Sequence, residues 1–91
     1  MISAEVIKGV QELLEDRGIR QRPGERFPDF VARGLGISSQ QTEILLEALH
    51  DGKEVGEAAR MADIDPSWTA DDLLIQLART IGTALGRLTP N

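Results

Sequence analysis

Cysteine is missing from the 91 residues of this chain, which excludes disulfides, thiolate metal sites, iron–sulfur clusters and cysteine nucleophiles. Tyrosine is missing too, and the aromatic content of 3% comes from Phe27, Phe30 and Trp68 alone. A core must therefore be built mostly from aliphatic side chains. No apolar run approaches the ~18 residues that a membrane span needs, and no charged stretch leading into an apolar one marks a secretory leader. His50 is the only histidine, so zinc cannot find its three or four nitrogen or sulfur ligands. Nucleophilic catalysis would have one imidazole to serve as its base, and that imidazole stands at a helix end before Asp51-Gly52, where a surface role is expected. The expectation is a cytoplasmic, non-enzymatic protein with no cofactor, no metal and no membrane contact.

What is present is ordinary for a globular domain. Hydrophobic residues make up 41% and charged ones 27%, which suits one domain over residues 1–91 with a modest core. The formal charge of −5 is unevenly placed. Up to Ile37 six cations meet six anions, whereas from Ser38 onward four cations face nine anions and carry the whole excess. Such a surface repels phosphate backbones, so any contact with nucleic acid is expected in the first part of the chain.

Helical spacing runs through the sequence, and no stretch alternates with period two as a half-buried strand would. Ser3 caps a first helix predicted over residues 4–17, with Ile2, Val6, Ile7, Val10, Leu13 and Leu14 recurring every three or four residues. Gly18 stops it, and Ile19 is expected to fold back onto Leu13 or Leu14. Pro23-Gly24 marks a turn. Pro28 and Asp29 open a short helix whose inward face is Phe27, Phe30, Val31 and Leu35, and Gly34 and Gly36 are expected to end it. Ser38 and Gln41 form a capping box for a helix over about 39–50 that buries Ile44, Leu45, Ala48 and Leu49. A fourth helix, about 54–62, carries the small stripe Val55, Ala58, Ala59 and Ala62. After the break at Asp63-Ile64-Asp65-Pro66, Thr69 and Asp72 cap a last helix predicted over about 70–88. Its apolar face is Leu73, Leu74, Leu77, Ala78, Ile81, Leu85 and Leu88. The fold class expected is all-α, a compact bundle of four to five helices.

Few residues point to chemistry. The carboxylate pairs Glu54 with Glu57 and Asp71 with Asp72 read as exposed helix acids, and Gly34-Leu35-Gly36 lacks the strand and third glycine of a phosphate loop. Asp63-x-Asp65-x-Ser67-x-Thr69-x-Asp71 places oxygens at alternate positions and so resembles the calcium loop of an EF-hand. Trp68 stands where that loop needs its glycine, and Leu74 where it needs a bidentate glutamate, so the oxygens are read as helix caps around Pro66. Two surfaces remain as candidates. Arg17, Arg20, Arg22 and Arg26 form an arm suited to nucleic acid or to an acidic partner, since an arginine fork donates two parallel hydrogen bonds. Ala78, Gly82 and Gly86, beside Leu77, Ile81 and Leu85, ask for a close neighbour, because glycine inside a helix costs about 1 kcal/mol. That neighbour is either another helix of this chain or a second copy, which makes the stripe a candidate self-association seam.

Residues 45–67, with the run Val55-Gly-Glu-Ala-Ala-Arg60 and the break at Asp63, resemble the helix-turn-helix domains of small bacterial and phage regulators and phage terminase small subunits. The resemblance implies a helix-turn-helix-like core whose next helix would read the major groove. Two features depart from that pattern: Asp63 replaces the usual glycine of the turn, and no cation follows it until Arg79. Residues 22–33, Arg-Pro-Gly-Glu-Arg-Phe-Pro-Asp-Phe-Val-Ala-Arg, are similar to a short C-terminal segment of the siroheme sulfite and nitrite reductases. The Cys-ligated clusters of those enzymes have no counterpart here. The function expected is that of a protein-interaction module, an adaptor or regulatory subunit, binding another protein and forming a homodimer. A DNA-binding regulator or terminase-like subunit is the alternative.

Overall fold

The computed structural model describes residues 2–65 and 72–86. Among them are five helices and no strands: α1 (Ala4–Glu15), α2 (Phe27–Leu35), α3 (Ser39–His50), α4 (Val55–Met61) and α5 (Asp72–Ala84). The fold is all-α. A Cα radius of gyration of 12.0 Å equals the roughly 12 Å expected when a chain of this length packs around one core.

Local signals set most helix ends. The Ser3 hydroxyl accepts from the Val6 N–H, and both halves of the Ser38–Gln41 capping box are made. α1 ends two residues earlier than its predicted bound, because the chain turns through Asp16 and Arg17 into Gly18 at φ 83°. The Ile19 N–H then donates to the Leu14 carbonyl at 3.0 Å, and Ile19 packs on the core, closing the helix in the expected way. Gly36, left-handed at φ 74°, ends α2. Gly34 does not: it lies inside α2, where a Cβ would stand 2.9 Å from Leu14 Cδ2. Gly34 is thus a point of close approach to α1. Ala62 and Asp63 close α4, with Asp63 left-handed at φ 57° and Ile64 buried behind it.

The most extensive packing is between α1 and α5, followed by α2 with α3 and α3 with α4. The fully buried side chains include Val6, Val10, Leu14, Phe30, Leu45, Leu46, Leu74, Leu77 and Ile81. At the α1–α5 crossing a Cβ on Gly9 would lie 2.8 Å from Thr80 Cγ2, so the glycine is what lets the two helices approach. α3 departs from expectation on one point. Leu45, Ala48 and Leu49 are buried as expected, but Ile44 turns outward, 37% exposed, and Thr42 and Leu46 take its place, giving the buried stripe Thr42, Leu45, Leu46 and Leu49. That stripe keeps the i, i+3, i+4, i+7 spacing but begins at a polar residue. Thr42 tolerates full burial because its hydroxyl donates to the Ser38 carbonyl at 2.9 Å. α5 is described from Asp72, so the expected Thr69 cap, Leu88 and most of the alternating-oxygen stretch lie outside the described residues. At its other end the helix stops at Ala84 and Gly86 turns left-handed at φ 75°.

Candidate functional sites, an arginine loop and a groove beside the last helix

The segment from Asp16 to Arg26, between α1 and α2, is held in place from several sides. Gln21 donates to the Glu25 carbonyl and accepts from Gln11 Nε2, at 2.8 Å and 2.7 Å. Glu25 accepts from the Arg22 N–H at 2.9 Å and from Arg33 Nε and Nη2 at 3.2 Å and 3.0 Å. Arg33 also donates to the Arg20 carbonyl and lies 5.9 Å from the centroid of the Phe30 ring. One arginine on α2 therefore clamps both strands of the loop. The hydrogen bonds from Arg33, then that from the Arg22 N–H, then the two positive charges, hold the Glu25 carboxyl down from its ordinary 4.5 to about 2, against an opposing contribution from burial. Glu25 in turn raises the pKa of Arg33 above its ordinary value.

This geometry sorts the four arm arginines. Ile19 and Gln21 face inward, both half-buried, and their neighbours Arg20 and Arg22 face outward and are exposed. Arg17, beyond α1, is exposed as well. None of these three guanidinium groups forms an ion pair within 4 Å among the described residues. Arg26 differs from them: it pairs with Glu43 on α3 at 3.0 Å, on a surface so open that the pair contributes little to stability. The arm thus reduces to Arg17, Arg20 and Arg22. Sequence reasoning missed the clamp because no local spacing rule links residue 25 before a helix to residue 33 near its end.

The other surface is an open groove of about 390 Å³ between the α3–α4 turn and α5. Leu49, Val55, Ile75, Ala78 and the backbones of Gly52 and Gly82 supply its apolar lining, and Lys53, Glu54 and Arg79 its charges. Lys53 leans toward Glu57 at 3.9 Å. The candidate seam is divided by this arrangement. Leu77 and Ile81 are buried in the chain's own core and cannot face a second copy, and Gly86 lies past the helix end. Ala78 and Gly82 do border the groove, together with Ile75, while Leu85 is half-buried against the core. The seam stripe read as one helical face is therefore split, because the chain's own core claims the side that carries Leu77 and Ile81.

His50 lines a second cavity of about 380 Å³ with Glu43, Glu47 and Asp51. Among the described residues no group of three or more histidine, aspartate or glutamate side chains is placed to hold a metal ion. No described helix is long and apolar enough to cross a membrane. No protein-family model, curated protein or solved structure matches the chain.

Proposed function

We propose that the chain is a non-enzymatic protein-interaction module, an adaptor or regulatory subunit, that seats an amphipathic helix of another protein in the groove beside α5. The observation that carries this reading is the lining of that groove. Ile75 is half-buried, borders the groove and stands apart from the packed core among the described residues. Ala78, Gly82 and Gly52 keep the walls low, so the apolar stripe of a helix could approach the backbone closely. Lys53, Glu54 and Arg79 supply charges of both signs beside it, the mixed polar border common at protein interfaces.

Replacing Ile75 with aspartate tests the reading without touching a core residue. Wild-type chain used as bait in host extract should retain a protein that Ile75→Asp releases, with equal helicity in the two chains. Equal capture by both, or capture by neither, counts against the groove. Sedimentation of the wild type alone adds the other occupant: a dimer that Ile75→Asp dissociates would assign the groove to a second copy.

A second reading, a DNA-binding regulator or terminase-like subunit with a helix-turn-helix-like core, draws on one feature. Asp63 takes a left-handed conformation between α4 and the buried Ile64, at the position where those families keep a tight turn. The exposed side of α5 offers Gln76, Arg79 and Thr83, of which one is a cation. Duplex binding abolished by Arg79→Ala would favour this reading over the first.

A further inference from the structure

The loop between α1 and α2 bears on the chemistry of the partner. Building on the reading that this partner is a protein, we propose that Arg17, Arg20 and Arg22 form a recognition patch for one of its acidic segments. Three observations converge on it. The three side chains are exposed and no acid within 4 Å neutralises them among the described residues. The nearest acid in the loop, Glu25, is already saturated by Arg33 and by the Arg22 N–H. The backbone that carries Arg20 and Arg22 is fixed from both sides, through Gln21 to Gln11 and through the Arg20 carbonyl to Arg33. A fixed loop has little conformational entropy left to lose on binding. Arg20 and Arg22 are both exposed, their Cα atoms at most about 7 Å apart, within the reach of alternate carboxylates on one peptide.

Charge decides between a peptide and a nucleic acid. Duplex binders of ordinary strength neutralise roughly six to ten phosphates, and this patch offers three cations. A duplex lying across it would also meet Glu12, Glu15 and Asp16, exposed at the end of α1 where the helix dipole is negative, on a chain whose formal charge is −5. A short acidic segment needs no more contacts than the three arginines supply. Arg33 is a positioning residue in this arrangement, acting through Glu25 and the Arg20 carbonyl.

The full chain should bind a fluorescein-labelled peptide of alternating glutamate and glycine, read by anisotropy at low salt. Each exposed arginine–carboxylate pair is worth a factor of roughly 1.5 to 5, so Arg20→Ala with Arg22→Ala should weaken binding about fivefold. Lys8→Ala with Arg60→Ala removes the same charge from exposed sites elsewhere and should leave it nearly unchanged. Glu25→Gln separates a positioned patch from mere net charge: it deletes an acid yet releases the clamp, so the affinity should fall. Equal losses in the two double variants, tighter binding by Glu25→Gln, or no binding by the wild type would overturn the proposal. Tighter binding of a DNA duplex than of the peptide, with a log–log salt slope of about −2.7 for three arginines, would overturn it in favour of nucleic acid. Ile75→Asp should still bind the peptide, so failure of the groove reading and failure of the patch are read separately.

Discussion

Replacing Gly9 with alanine asks whether α1 and α5 cross as closely as the structure places them. In an open helix the change gains about 0.8–1 kcal/mol from helix propensity alone. Here the new methyl would stand 2.8 Å from Thr80 Cγ2, closer than two carbon atoms settle, and threonine is branched at Cβ and has few alternative rotamers. Overpacking of this kind costs about 1–3 kcal/mol, so Gly9→Ala alone should be neutral to destabilising by about 2 kcal/mol. Thr80→Ser removes Cγ2 and keeps the hydroxyl, at a cost of about 0.8 kcal/mol or less for a half-buried methyl. In that background the obstruction is gone and Gly9→Ala should recover its full propensity gain. The coupling between the two sites is then about 1–3 kcal/mol. Thermal unfolding followed by circular dichroism reads it directly, because 1 kcal/mol moves Tm by about 4–8 °C in a domain of this size. Gly9→Ala should raise Tm in the Thr80→Ser chain and fail to raise it in the wild type. An equal rise in both backgrounds would show that the helices do not approach at this point.

Two other substitutions probe the loop and the turn. Because the folded Glu25 pKa lies below its ordinary value, the stability the clamp contributes is present in full above pH 4.5 and is lost as the pH falls through about 2. The Tm difference between wild type and Glu25→Gln should therefore hold steady above pH 4.5 and close below it, and a difference that ignores pH would refute the clamp. Asp63 sits at φ 57°, so Asp63→Ala should cost about 1 kcal/mol in urea unfolding while Asp63→Gly costs less, because only glycine enters that conformation without a Cβ penalty.

Much of the fold was legible in the sequence because it depends on contacts within four or five residues. The Ser3 cap, the Ser38–Gln41 capping box, the Gly18 stop with Ile19 folded back and the buried alanine stripe of α4 all follow from local hydrogen bonding and helical spacing. Tertiary structure decided the rest. It chose Leu46 over Ile44 for the core, since the two differ little in hydrophobicity and only the placement of α3 between α2 and α4 orders them. It turned Gly34 from an expected helix end into a point of close approach and made Gly9 another, and it buried Leu77 and Ile81, which the sequence offered both as the apolar face of the last helix and as part of a seam. The candidate site shows the same division. Composition marked a run of arginines, but which of them stay unpaired depends on Arg33 reaching Glu25 and on Glu43 of α3 lying beside Arg26. Such pairings arise when separate helices come together, and neither helical periodicity nor residue type encodes the distance between them.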